Sequence, residues 1–390
     1  MNLLKYRKNN DFFSYVNPIS IRQYQYNFIE SFCANAINFL SAQRNNYLSV
    51  HEIKITKRIN YLGVNNSAYS KVSIDVKNNV TDEIHHFTEF FIPTLMDHEH
   101  FYLNANYYTC MMYAIDYPIT IKKQSCKIFS LFNSITLYAE NDIAIFVRNH
   151  MSLEFFLQLF VDFEDPIYQK YMKKYKLAHT KQEMVNVVEV ISKRFSVKEK
   201  TQQAVIDKLD TLFFDDYSRA LYHKCYGFEA PFTLVDVIRQ TLINSLDEPK
   251  AFTDLNNKRV VFLEMLLQPF LTRISGLCTE VAKGNYKNEM KVDQLFIIKY
   301  FLKAKNTNMT NSSVGLSGNY LYDTKNLYSG ILVNKCSFIP PNMSMPPTEV
   351  KHVHPSHFGK VCPISVSAQS PGETVSLIPT VHLDEFGMFQ

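Results

Sequence analysis

The chain has 390 residues, 46 % of them apolar and 20 % charged. That balance belongs to folded globular chains and excludes wholesale disorder, and the length accommodates two or three domains with real cores. The 41 basic and 37 acidic residues leave a formal charge of +4, less than a lone nucleic-acid binder usually carries, which permits a nucleic-acid role inside a larger assembly without demanding one.

The opening Met1-Asn-Leu-Leu-Lys5-Tyr-Arg7 has no apolar centre, which argues against a secretory leader. The first predicted element is a helix over 21–43. Ile21, Tyr24, Phe28, Phe32, Ala36, Phe39 and Leu40 recur at helical spacing, with Ser20 as candidate cap. From 50 to 143 the period becomes two. The segments 51–57, 71–76, 88–92 and 118–122 alternate as strands, with turns expected at Asn65-Asn66 and Asn78-Asn79. Residues 152–305 read as helical. Pro166 suits a first helical position, and Thr233 with Asp236 forms a capping-box pattern. A long apolar stripe over 256–283 predicts a helix that Pro269 should kink or split, and a further helix is expected over 290–304. Between 165 and 208 ten Lys/Arg stand against five Asp/Glu, a solvated helical face or one turned toward DNA. No stretch of about 18 uncharged apolar residues occurs, so no membrane span is expected.

The last 85 residues change character. They hold six of the ten glycines and eight of the fifteen prolines, and only nine charged residues. No helical period is sustained there. A long segment of this kind in a compact domain is usually functional, and its low charge suggests that something covers it.

Chemistry-bearing patterns are few. No GxSxG, Walker-type loop or Asp-x-Asp metal cluster occurs. The seven cysteines at 33, 110, 126, 225, 278, 336 and 362 are scattered without a CxxC, which fits a reducing compartment and not a disulfide framework or four-cysteine zinc site. The densest polar cluster is His352-Val-His354-Pro-Ser-His357-Phe-Gly-Lys360-Val-Cys362. Its imidazoles and thiol could ligate a metal, as in a hydrolase, or they could hydrogen-bond backbone and fix loops. The spacing is not HExxH, and no acidic residue is placed as a general base. His354 and Cys362 each precede a proline and are biased toward extended backbone.

The segment Thr348-Glu-Val-Lys-His-Val-His354-Pro-Ser-His357-Phe-Gly-Lys360-Val-Cys362-Pro-Ile364 closely resembles FEVRDVHPTHYGRVCPI, a signature of the β subunit of multisubunit RNA polymerases. The following Ser365-Val-Ser-Ala-Gln-Ser-Pro371-Gly-Glu-Thr-Val-Ser-Leu377-Ile378 resembles a longer form of that family's ETPEGPNIGLI. Upstream, Phe91-Ile-Pro93-Thr-Leu-Met96-Asp-His-Glu-His-Phe101-Tyr-Leu-Asn104 is similar to the β pattern VPLMTDNGTFVINGTERV. The composition, with 32 asparagines, 24 tyrosines, 30 phenylalanines and no tryptophan, reads as an AT-rich codon bias. With the variant signature and a chain that stops soon after it, this looks like the split β subunit of a giant-bacteriophage enzyme.

The resemblance implies a mixed α+β, multi-lobed fold with the β-subunit protrusion, lobe and fork. Residues 1–143 would be protrusion-like, 144–255 a helical lobe-like insertion, 256–305 helices returning to the protrusion, and 306–390 a loop-rich fork-like region. It implies membership of a DNA-directed RNA polymerase, a nucleotidyltransferase whose Mg²⁺-binding aspartates lie on a β′-like chain. No catalytic residue, metal or cofactor is then expected on this chain. Its role would be a wall for the RNA–DNA hybrid and the downstream fork. Lys335, Ser337, Lys351, Lys360, Ser365, Ser367, Gln369, Ser370 and Glu373 are the implied nucleic-acid-binding residues. His354, Pro355, His357, Gly359, Cys362 and Pro363 carry the structural signature. Partners would be the C-terminal β half, β′-like chains that could themselves be split, template DNA and nascent RNA. A promoter-specificity subunit is an open candidate, and no membrane is involved. The setting would be the host cytoplasm during infection, with virion packaging an alternative. The competing readings are a non-catalytic phage structural protein with a polymerase-like fold and the metal hydrolase using His352, His354, His357 and Cys362. The stretch 334–347 departs from the family in losing its arginines, which predicts resistance to rifamycins. The region 306–390 has four basic and five acidic residues, a net of −1, so a hybrid wall here would rely on backbone donors or on charge from its partners.

Overall fold

The computed structural model describes residues 21–43, 46–62, 65–96, 100–103, 106–110, 112–147, 149–177, 184–261, 263–282, 296–297, 316–317, 335–339, 347–366, 372–378, 381 and 383–389. The fold is mixed α+β. It divides into two compact units, Met1–Ile115 with Ala251–Gln390, and Asp116–Lys250. The second is thus inserted into the first.

The first unit opens with α1 (Ile21–Ala42). Its apolar face, Ile29, Phe32, Cys33, Ala36 and Ile37, is fully buried. Three antiparallel strands follow in the order β1 (Leu48–Leu62), β2 (Asn65–Asn78), β3 (Ile84–Pro93). Val72, Ile74 and Val76 alternate inward on β2, as the period of two demands. A buried hydroxyl chain joins helix and sheet: Ser70 Oγ lies 2.7 Å from Thr94 Oγ1 and 3.0 Å from Tyr26 Oη. Next come β4 (Leu95–Met96), β5 (His100–Leu103) and β6 (Asn106–Cys110). The β5–β6 hairpin pairs Phe101 with Tyr108 and Leu103 with Asn106. Strand β7 (Met112–Asp116) ends this part.

The inserted unit starts with a five-stranded antiparallel meander: β8 (Ile119–Ile121), β9 (Ser125–Phe129), β10 (Ser134–Tyr138), β11 (Ile143–Phe146) and β12 (Asn149–Ser152). Among the described residues six helices follow: α2 (Leu153–Phe160), α3 (Pro166–Tyr175), α4 (Met184–Phe195), α5 (Gln202–Phe213), α6 (Asp216–Tyr226) and α7 (Leu234–Leu246). Seven of the eight residues of α2 are buried, and the two polar ones among them pair, Gln158 Nε2 donating to Glu154 Oε1 at 3.2 Å. Sheet and helices share one core that includes Ile128, Leu137, Phe146, Phe156, Val187, Leu209 and Ile238. Several helix starts are capped. Asp165 accepts from the Ile167 N–H at 2.8 Å with Pro166 at the first position, and the Thr233 N–H donates to the Asp236 carboxylate at 2.8 Å. Tyr222 donates to the Phe129 carbonyl at 2.9 Å, and the Tyr226 hydroxyl accepts from the Ile119 N–H at 2.8 Å. Burial pushes both phenols far above their ordinary range.

The chain then returns to the first unit through β13 (Lys258–Val261) and α8 (Leu263–Ala282). Phe270 of α8 meets Phe90 of β3 with centroids 5.1 Å apart. Strand β14 (Leu316–Ser317) pairs with β6. Strands β15 (Lys335–Ser337), β16 (Val361–Val366) and β17 (Thr374–Leu377) complete a sheet in the order β13-β7-β15-β17-β16. Strand β15 runs parallel to β7 and antiparallel to β17. Two residue pairs set the β16–β17 register, Val361 with Leu377 and Val366 with Val375, so residues 362–365 bulge from the edge.

Several expectations shift. The 256–283 stripe is not one helix. Lys258–Val261 is a fully buried strand, and the helix begins at Leu263 and continues through Pro269. The four residues Lys258-Arg259-Val260-Val261 are too few to show a period, and their place beside β7 sets the strand. Asn65 and Asn66 lie in β2, paired with Leu62 and Tyr61, while the turn at Asn78-Asn79 forms as read. The inserted unit opens at 116, not 144, because its helices need the β8–β12 sheet as a floor. The final region contains short strands whose partners are distant in sequence. Of the helix read over 290–304, only Phe296 and Ile297 are described, and both are helical. Among the described residues no helix is long and apolar enough to cross a membrane.

Candidate functional site

The polymerase-like signature folds as two 3₁₀ turns followed by the edge strand β16. The first turn, Thr348–Lys351, is anchored by buried Val350. Gly372, at φ +83°, packs so closely that a Cβ there would collide with the Val350 carbonyl oxygen. Only glycine fits that approach. His354 caps the second turn, Pro355–His357, with its backbone extended as the following proline requires. Its Nδ1 accepts from the Ser356 N–H at 3.2 Å and lies 2.8 Å from Ser356 Oγ. Asp254 Oδ1 lies 3.5 Å from the same ring nitrogen. Gly359, at φ +72°, turns the chain into β16.

The signature rests on residues 253–256, which no sequence pattern singled out. The buried His357 ring donates from Nε2 to the Thr253 carbonyl at 2.8 Å and stacks on Phe338 with centroids 5.4 Å apart and planes at 15°. Thr253 Oγ1 donates to the His352 carbonyl at 3.3 Å. The Leu255 N–H donates to Ser356 Oγ at 2.9 Å. Lys360 Nζ donates to Asn256 Oδ1 at 3.3 Å and lies 5.0 Å over the Phe389 ring. Asp254 caps the 3₁₀ turn Leu255–Asn257, accepting from the Asn256 N–H at 3.0 Å and Asn257 Nδ2 at 2.7 Å. Burial holds the His357 pKa below its ordinary 6.5. The Thr253 carbonyl and Asp254 oppose that shift, and His354 and Lys360 reinforce it.

The last described residues form a C-terminal hook that packs on β13. Gly387, at φ +79°, is pressed against β13, where the Val260 N–H donates to its carbonyl at 2.7 Å. Asp384 Oδ1 accepts the N–H groups of Phe386 and Met388, each at 2.9 Å. Arg259 of β13 pairs with Glu264, Nη2 to Oε2 at 2.8 Å, and both side chains are mostly buried.

The sequence-predicted site residues separate on this frame. Lys351 is exposed at the end of the first turn. Lys360 is half-buried and spends its ammonium on Asn256 and Phe389. Ser337 is buried, accepting from the Ile339 N–H at 3.1 Å and donating toward the Ile339 and Glu373 carbonyls at 3.3 Å. Its hydroxyl serves the sheet, not a ligand. Glu373 contributes its backbone carbonyl to the Phe338 N–H at 3.0 Å. Lys335 and Ser365 lie on β15 and β16, with their side chains outside the described residues, as are Ser367, Gln369 and Ser370 altogether. Cys362 is buried and Pro363 exposed. The four groups of the alternative metal cluster do not converge. His354 and His357 turn ring nitrogens to Ser356 and Thr253, their centroids are 6.4 Å apart, and His352 is exposed. Among the described residues no group of three His, Cys, Asp or Glu is placed to hold a metal ion. Burial pushes the Cys336 thiol up to about 12, so it is no nucleophile.

Sequence reading missed the surface of the tip. Val353, Phe358 and Ile364 are 77 %, 81 % and 81 % exposed. Alternation could not have found them, since the tip has no regular period.

A scan against protein-family models finds no match, and a search of curated proteins finds none either.

Proposed function

We propose that this chain is the N-terminal part of the β subunit of a multisubunit DNA-directed RNA polymerase of the giant-bacteriophage type, with the protrusion, lobe and fork of that subunit. One observation supports the reading above others. The two segments that resemble β, around 91–104 and 348–378, are separated by an inserted unit, yet belong to one compact unit. There the strands following the first segment, β6 and β7, pair with β14 and β15. Two matches far apart in the sequence thus fall in one domain, where β17 (Thr374–Leu377) of the second shares a sheet with β7.

On this reading the chain supplies no reacting group. Mg²⁺, bound by aspartates of a β′-like chain, supplies the nucleotidyl-transfer chemistry. This chain holds the signature loop against residues 253–256 and presents its outer edge, with Lys351 and His352, toward the RNA–DNA hybrid and downstream fork. The remaining part of β and the β′-like chains would cover its other faces during infection in the host cytoplasm. The loss of the family's arginines between 334 and 347 implies rifamycin resistance. Of that stretch residues 335–339 and 347 are described.

The test is to recover the tagged chain from infected cells, identify what accompanies it by mass spectrometry, and assay primer extension with and without rifamycin. Co-purification with chains resembling later β and β′, with RNA synthesis that low-micromolar rifamycin does not inhibit, is expected. Recovery of the chain alone, or with capsid proteins and no synthesis, overturns the reading.

A further inference from the structure

We infer that Phe358 is a base-stacking platform for single-stranded nucleic acid, with the exposed Lys351 and His352 of the same loop meeting the adjoining phosphates. The inference rests on the polymerase reading and deepens it by naming the strand state and the residue that grips it.

Three observations on the loop carry it. First, Phe358 is 81 % exposed although it follows directly on the buried, stacked His357. The His357 anchor fixes the backbone, so the neighbouring ring is held out on a rigid support. Second, the loop is not packed over at the next position: among the described residues other than Phe358 and Lys360, no atom lies within 4 Å of where a Cβ on Gly359 would stand. Third, Lys351 of the same loop is exposed, and no acidic residue occurs between Glu349 and Glu373. An exposed aromatic with an exposed lysine on the same loop is an arrangement that holds single strands, where stacking adds affinity without reading sequence. A duplex hides its base faces and offers the ring nothing to stack on. Val353 and Ile364 share the exposure but not the aromatic face. An apolar protein-docking patch would engage all three alike.

The chain contains no tryptophan, so Phe358→Trp installs a single indole fluorophore at the platform. The full-length chain is titrated with an oligothymidylate single strand, the same length of duplex, and an oligouridylate. Expected results are quenching of the introduced indole's emission by both single strands and little change with the duplex. Phe358→Ala should weaken single-strand binding roughly tenfold, with the salt slope unchanged. Lys351→Ala should weaken binding and lower that slope by about one. Equal binding by Phe358→Ala, or emission blind to oligonucleotide but altered on assembly with polymerase chains, overturns the inference and makes the tip a protein contact. If RNA synthesis by the recovered assembly persists while stacking fails, only this inference falls. If stacking is observed without synthesis, the polymerase reading falls instead.

Discussion

His357 is the residue on which the signature turns. Its ring is buried, stacked on Phe338 and bonded to the Thr253 carbonyl. His357→Ala should cost about 2–4 kcal/mol, from the cavity and the unpaired carbonyl together. Chemical denaturation of the full chain checks this. The same ring predicts a pH dependence. Because burial holds its pKa below the ordinary 6.5, the folded state prefers the neutral ring and the unfolded chain takes up the proton first. The stabilisation is complete above about pH 6.5 and is lost as pH falls through the folded-state value. The denaturation midpoint should therefore fall as the pH is taken below about 6.5. His357→Gln, which keeps an N–H donor without a titrating ring, should flatten that decline. A midpoint equally steep in the variant would place the titration elsewhere.

At the scale of elements, two glycines and one cap decide whether segments dock. A side chain at Gly387 would collide with the Val260 carbonyl and one at Gly372 with the Val350 carbonyl, both with positive φ. Neither contact can yield by a rotamer change, since both are with backbone. Gly387→Ala should release the C-terminal hook at a cost of about 1–3 kcal/mol, read as new protease cleavage after residue 380. In the inserted unit, Asp215 accepts from the Ser218 N–H at 2.9 Å and from Ser218 Oγ at 2.5 Å, and the Leu131 N–H donates to that same hydroxyl at 2.9 Å. The cap therefore also holds the β9–β10 turn. Asp215→Ala should destabilise by about 1–2 kcal/mol, seen as a lowered melting temperature.

For the whole molecule, each unit has its own core, so each lesion should stay where it is made. Hydrogen exchange on the intact chain should show His357→Ala accelerating amides in 251–261 and 348–378, and Asp215→Ala accelerating amides within Asp116–Lys250. Exchange that rises across both units for either variant would show that they open together. The two-unit division also explains why the charge balance was uninformative. A net charge of +4 averages over both units and conceals the acid-free loop around Phe358, which only the local distribution reveals.

The sequence by itself determined what repeats locally. Helix α1, the alternating β1–β3 ladder, the Pro166 and Thr233 helix starts and the signature motif were legible because each depends on neighbours within a few residues. Residues 253–256 were not, because Thr253, Leu255 and Asn256 act through partners about a hundred positions away, two of the contacts through backbone atoms that every residue type carries. The Lys258–Val261 strand was hidden for the same reason, since this half-charged run becomes a strand only when β7 lies beside it. The role of the lysines divided likewise. Composition marks Lys351 and Lys360 alike, and only the tertiary structure turns Lys360 inward to Asn256 and Phe389 and leaves Lys351 at the surface. Exposure is a property of what lies opposite a side chain, and the fold alone sets that.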